Sequence, residues 1–198
     1  MTSTSPILLI LGSGANVGQS VARAFAAQGY KVALTSRKAS SDDDTTEQVS
    51  IAGDLSKPET VAGIFSKVKE LLGIPSVVVY NGKTDVYDQA PPWGHADLAT
   101  AAAVTPSEAK DPLSLPLTDF IRDLNVNTTS AFVAAQQAAL GFAELPDSAS
   151  KTFIYTGNIL NEKTVLAPFM NLGVGKSATS HMIHCAATVY AERGFKYA

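Results

Sequence analysis

The hydrophobic pattern opens with an unbroken apolar run, Ile7-Leu8-Leu9-Ile10-Leu11. A strand buried on both faces of a parallel sheet needs apolar side chains at every position rather than at alternate ones. The stretch Gly12-Ser13-Gly14-Ala15-Asn16-Val17-Gly18 follows at once. Val17, Val21 and Phe25 then recur at helical spacing as far as Gln28, and Gly29 stops the helix. Lys31–Ser36 reads as a second strand ending at Arg37. The pattern is strand, glycine-rich turn, helix, strand.

The same alternation continues. Val49–Asp54 predicts a third strand, and Pro58 opens a helix with Val61, Ile64, Phe65, Val68, Leu71 and Leu72 on one face. Gly73 ends that helix, and Ser76–Asn81 predicts a fourth, β-branched strand. Thr118 or Asp119 is placed to cap the next helix. Its face is Phe120, Leu124, Asn127, Ala131, Ala134 and Ala138, and Gly141 ends it near Pro146. Thr152–Asn158 predicts a fifth strand. A long helix then starts at Gly173, with the stripe Val174, Ala178, His181, Met182, Cys185 and Val189. Gly194 stops it, and Phe195–Ala198 begins a sixth strand. Strands alternating with helices predict an α/β, Rossmann-like doubly wound parallel sheet in one domain spanning residues 1–198.

Lys83 to Pro116 breaks the rhythm. It holds Pro91, Pro92, Trp93, an alanine-rich piece (Ala99 to Val104) and three further prolines. A long connection at the carboxyl ends of parallel strands lies where ligands bind, so the segment reads as a substrate-side excursion, a surface insert being the alternative. Ser40 to Thr46, with Asp42, Asp43 and Asp44, reads as solvated loop and lacks the spaced ligands of a calcium site.

The first turn carries the chemistry. Glycine lets a diphosphate approach the backbone, and the helix behind it offers free N–H groups and the positive end of its dipole. Strand, turn, helix and second strand together form the context that a dinucleotide-binding unit demands. Gly12, Ser13, Asn16, Val17 and Gly18 are therefore the candidate pyrophosphate site. The end of strand two meets the adenosine ribose, where a cation suits a 2′-phosphate and an acid suits a free hydroxyl. Arg37 and Lys38 favour NADP(H) over NAD(H), the alternative being a solvated basic pair. Asp54, followed by Leu55, is placed to accept from the adenine amino group, the alternative being a cap for the segment after it.

Composition narrows the setting. Apolar content of 45% with 17% charged residues fits a globular chain. A net charge of -3 argues against binding nucleic acid or membrane surfaces through basic patches. The lone Cys185 cannot form an internal disulfide, and Met1 to Pro6 has no signal-peptide pattern, so a cytoplasmic setting is expected. No apolar run reaches the length of a membrane span. His181 and His184 stand three apart with no further ligands in view, so no metal site is expected.

Five βα units in this order resemble the short-chain dehydrogenase/reductase family over nearly all 198 residues. The family's turn, Thr-Gly-x-x-x-Gly-x-Gly, appears as Leu11-Gly12-Ser13-Gly14-Ala15-Asn16-Val17-Gly18, with Asn16 at the middle glycine. Asparagine tolerates a left-handed backbone better than most residues. The resemblance implies that Asp54 binds adenine and that Asn81 and Gly82 stand for the family's Asn-Asn-Ala-Gly segment. It implies that Asn127 supports a proton-relay water and that Asn158 replaces the serine that holds the substrate carbonyl, with Thr156 as the nearest hydroxyl. The family's Tyr-x-x-x-Lys reads here as Leu172-Gly173-Val174-Gly175-Lys176. Lysine, the cofactor-ribose ligand, is present, but leucine cannot transfer a proton. The hydroxyls of Tyr80 and Tyr155 are spare, and their spacing recommends neither. The family's later strands have no counterpart, so the chain reads as C-terminally shortened, by fragmentation or natural truncation. Pairing through the helices starting near Thr118 and Gly173 implies a homodimer or homotetramer.

The expected function is an NADP(H)-dependent oxidoreductase acting on a small carbonyl or enone substrate, with Lys176, Asn127 and Asn158 as catalytic candidates. The alternatives are an NADP(H)-binding protein without redox turnover and an isomerase or cyclase built in an inherited pocket.

Overall fold

The structure is a computed structural model that describes residues 5–14, 16–38, 44–82, 104–162 and 164–198. Among the described residues, six strands form one sheet: β1 (Ile7–Leu11), β2 (Lys31–Ser36), β3 (Gln48–Ala52), β4 (Val77–Tyr80), β5 (Thr152–Tyr155) and β6 (Lys196–Tyr197). Their order is β3-β2-β1-β4-β5-β6 and every pairing is parallel. The reversal of order between β1 and β4 makes the crevice at their carboxyl ends the natural ligand position. The α-helices are α1 (Val17–Ala26), α2 (Val61–Leu71), α3 (Leu117–Leu124), α4 (Ser130–Glu144) and α5 (Met170–Tyr190).

Both faces of the sheet are covered, as the unbroken apolar strands require. On one face Leu8, Ile10, Val32, Leu34, Val77 and Val79 pack against Ala22, Val21 and Phe25 of α1. On the other, Leu9, Leu11, Val78 and Phe153 meet Val61, Ile64 and Val68 of α2 and the alanines of α4. Each fully buried aliphatic side chain contributes about 1.5–3 kcal/mol, so the central strands anchor the domain.

Several predicted boundaries shift. β3 stops at Ala52, and Asp54 lies beyond it because its carboxylate turns to the N–H and hydroxyl of Ser56, at 3.0 and 2.8 Å. β5 stops at Tyr155, since Asn158 caps a one-turn helix at Ile159–Asn161 instead of extending. Neither Thr118 nor Asp119 caps α3. Pro116 opens it, accepting the N–H groups of Asp119 and Phe120. Gly141 does not end α4, which runs to Glu144 until Pro146 forces Leu145 into extended backbone. Between α3 and α4, Asn125–Thr129 winds as a π turn.

Most of the stripe predicted along the last helix faces outward, although Met182 packs against the core. α5 begins at Met170 and buries Leu172, Gly175, Lys176, Thr179 and Ile183. Val174, Cys185 and Val189 point outward, Val189 with 68% of its surface exposed. The polar members of the buried face are tied to backbone carbonyls, which removes the cost of enclosing them. Asp42, Asp43, Trp93 and the Ala99 to Ala103 part of the alanine piece lie outside the described residues. At the other end of the chain, the predicted sixth strand forms: Ala198 N–H donates to Phe153 and Tyr155 N–H to Ala198.

Candidate functional site

Successive βα junctions meet along the carboxyl edge of the sheet. At the first, Gly12 has φ 93, and a Cβ there would lie 2.1 Å from the Asn81 carbonyl oxygen. Only glycine fits. A Cβ on Gly18 would lie 2.6 Å from the Ser13 Cα, so α1 can start this close to the turn only with glycine there. Asn16 has φ -88, so the left-handed backbone expected at this position does not occur. Its side chain makes no cap, and the first turn of α1, beginning Val17-Gly18, holds no acidic residue. Of the N–H groups of that turn, Gln19 N–H is taken by the Gly14 carbonyl at 3.2 Å, and no acidic side chain of the turn competes with an anion for the rest.

A cavity of about 590 Å³ opens beside this turn, walled by Gly12, Ser13, Arg37, Lys38, Asp54 and Leu55 among others. The sequence assigned Gly12 and Ser13 to the pyrophosphate of a dinucleotide, and Arg37, Lys38 and Asp54 to its adenosine end. Partial burial pushes the Asp54 carboxyl up, but the Ser56 hydrogen bonds and the charges of Lys57 and Arg37 outweigh it, leaving the group below the ordinary carboxylate range. Leu55 belongs to the core, and its carbonyl takes the Ser130 hydroxyl at 2.7 Å. In the same wall the buried Thr35 hydroxyl has no partner among the described residues.

A chain of hydrogen bonds links this cavity to the lysine. Asn81 Nδ2 donates to the Gly12 carbonyl at 3.0 Å. Thr156 Oγ1 donates to Asn81 Oδ1 at 3.1 Å, and Lys176 Nζ donates to the Thr156 carbonyl at 2.7 Å. Asn81 and Gly82 are buried at the end of β4. Lys176 is 2% exposed, and burial pulls its amine down to about 7. The close approach that places it is set by Gly175, where a Cβ would lie 2.7 Å from the Asn127 Cβ.

Around the lysine, β5, the π turn and α5 meet. The Asn127 carbonyl accepts the Tyr155 hydroxyl at 2.8 Å and the Thr179 hydroxyl at 2.7 Å. Both lone pairs are engaged, so a water ordered by Asn127 must use its side chain. Tyr80 donates to the Val126 carbonyl at 2.6 Å. The π turn is therefore held by two tyrosine hydroxyls that the sequence did not single out, since one lies on β4 and the other on β5. Asn158 sits on the loop after β5, where its Oδ1 caps Leu160 N–H at 2.9 Å, so only its amide nitrogen remains to meet a substrate oxygen. Leu172 is fully buried in a small apolar cluster with Val104, Leu160 and Phe169.

Asp123, also missed, clasps this cluster. Its enclosed carboxylate accepts Thr105 N–H at 2.5 Å, Asn171 Nδ2 at 2.6 Å and the Arg122 guanidinium at 3.1 Å. Arg122 also donates to Asp119 and to the Thr105 hydroxyl. The end of the long connection is so fastened to the head of α5. An aspartate in a helix gives no signal of this in the sequence. Among the described residues, no group of three His, Cys, Asp or Glu side chains is placed to hold a metal ion, and no helix is long and apolar enough to cross a membrane.

No family model matches the chain. It is 48% identical over 197 residues to the short chain dehydrogenase/reductase dmxR12 of Cryptosporiopsis sp. (strain 8999), covering 98% of this chain and 75% of that protein. Among solved structures it is similar to a short-chain dehydrogenase/reductase from Serratia marcescens, with a TM-score of 0.75 at 20% identity over 97% of this chain and 75% of the other. A 4-hydroxyisoleucine dehydrogenase complexed with NADH gives a TM-score of 0.74 at 13% identity, over 98% and 73% of the two chains. The sheet order, the glycine turn and a relative of this similarity agree: the chain belongs to the short-chain dehydrogenase/reductase family of nicotinamide-dependent oxidoreductases.

Proposed function

We propose that this chain is an NADP(H)-dependent oxidoreductase that reduces a small carbonyl or enone at a non-standard active site. The observation that carries the reading is the bonded path from Gly12 through Asn81 and Thr156 to Lys176, which joins the nucleotide cavity to a buried amine. The residues present fit a dinucleotide. The uncapped start of α1 suits its pyrophosphate, Arg37 and Lys38 suit a 2′-phosphate, Asp54 suits the adenine amino group, and the Thr35 hydroxyl, unpartnered among the described residues, stands in the cavity wall. Lys176 holds the nicotinamide ribose. When bound, the nicotinamide supplies the hydride. Asn127 orders a water through its side chain for the proton that Leu172 cannot give, and the Asn158 amide supports the substrate oxygen.

One observation favours a second reading, a cofactor-binding protein without redox turnover: Leu172 is sealed under Val104, Leu160 and Phe169 where the family places its proton donor. Residues 1–198 form a single domain in either reading, and the setting is cytoplasmic. A homodimer or homotetramer would cover the apolar groove between α4 and α5, lined by Phe132, Leu140, Met182 and Val189. The test is titration of the protein with NADPH and NADH by fluorescence, followed by a panel of aldehydes, ketones and enones read at the NADPH absorbance. Arg37→Ala should weaken NADPH at least tenfold more than NADH. Equal losses refute the cofactor assignment, and binding without any oxidation favours the second reading.

A further inference from the structure

The family tyrosine is missing from its position on α5, yet Lys176 lies against another aromatic ring. Its Nζ stands 4.6 Å from the centroid of the Tyr155 ring while it donates to the Thr156 carbonyl at 2.7 Å. Tyr155 comes from β5, so the contact crosses from sheet to helix. The ring is held from two sides. Its hydroxyl is bonded to the Asn127 carbonyl at 2.8 Å, and its other neighbour is the Tyr80 ring, stacked at 5.9 Å and 25°. Tyr80 is fixed in turn by the Val126 carbonyl at 2.6 Å. Neither tyrosine can swing without releasing a buried carbonyl of the π turn.

We propose that Tyr155 is the positioning residue of Lys176: its ring face holds the ammonium at the Thr156 carbonyl, on the edge of β5 where the junctions converge. The electron-rich face of an aromatic ring attracts a cation, and the attraction strengthens when both are withdrawn from water. Lys176 is so withdrawn, and burial alone favours its neutral form. The ring opposes that loss and fixes the direction of the amine. An aliphatic residue of similar bulk would fill the space without doing either. This role rests on the reading of Lys176 as the cofactor-ribose ligand.

The test keeps the shape of residue 155 and changes only its electrons. Tyr155 is replaced by phenylalanine and then by mono-, di- and trifluorinated phenylalanine, which drain the ring face in steps. Three quantities are followed: the Lys176 ¹³Cε titration by NMR, assigned through Lys176→Arg; the NADPH dissociation constant at pH 7; and the urea midpoint. The Lys176 pKa should fall with each fluorine, by about half a pH unit or more across the series. NADPH affinity should weaken several-fold in the same order, with the urea midpoint nearly level. A titration that ignores fluorine while only the midpoint changes overturns the proposal and leaves Tyr155 as packing. If the titration follows fluorine but the unmodified protein binds neither NADPH nor NADH, the ring–ammonium contact stands and the cofactor reading of Lys176 falls.

Discussion

Lys176→Met isolates the cost of enclosing an amine in this core. Burial takes the amine from 10.5 down to about 7. That interval corresponds to ~4–5 kcal/mol of stability withheld whenever the folded chain must keep the charge. The sign comes from proton counts. Between about pH 7 and 10.5 the unfolded chain binds a proton at this lysine that the folded chain does not. Stability therefore rises with pH across that window, by up to ~1.4 kcal/mol per pH unit, and is lost as pH falls toward 7. Methionine keeps an unbranched chain and removes the charge, while orphaning the Thr156 carbonyl at a cost of ~1 kcal/mol. The variant should be more stable than the parent by ~2–4 kcal/mol at pH 6.5, with the gap shrinking to within ~1 kcal/mol near pH 9.5. Urea unfolding of both proteins at half-unit steps from pH 6.5 to 9.5 measures it. Burial raises the pKa of Tyr80, Tyr155 and Tyr197, so these groups titrate above the window in both proteins. A constant difference between parent and variant, with no pH slope, would refute the reasoning.

Other changes rest on the same geometry. Gly12→Ala must relieve a Cβ placed 2.1 Å from the Asn81 oxygen at φ +93, so unfolding should show a loss of ~2–4 kcal/mol, and a loss under 1 kcal/mol would mean the turn relaxes freely. Asp123→Ala strands Asn171 Nδ2 and Thr105 N–H while Arg122 keeps Asp119, and should cost ~2–4 kcal/mol by chemical denaturation. Hydrogen exchange in that variant should quicken at Thr105 and Leu172 while β1 stays protected. Uniform quickening would place Asp123 in the global core instead of in a local clasp.

The architecture was legible in the chain because local rules and global packing agree. Ile7–Leu11 and Val77–Tyr80 are apolar throughout, and a strand enclosed on both faces admits nothing else. Gly12 and Gly18 were legible for a related reason, since a chain that turns so tightly into a helix leaves no volume for a Cβ. The cavity beside the glycine turn is walled from successive strand ends, so recognising the strands was enough to gather Arg37 and Asp54.

What the chain did not disclose depends on elements distant in sequence. α5 carries an apolar stripe, yet it turns Val174, Cys185 and Val189 outward and buries Lys176 and Thr179, because the carbonyls of Thr156 and Asn127 are there to receive them. Periodicity registers only hydrophobicity, so it cannot foresee a polar face satisfied by another segment. The π turn and the two tyrosines that hold it are invisible for the same reason. Spacing also could not show that Leu172 is enclosed by Val104, Leu160 and Phe169. The order of strands and the glycine turn were properties of the sequence itself. The surroundings of Lys176 were decided only in three dimensions, where side chains from β5, the π turn and α5 meet.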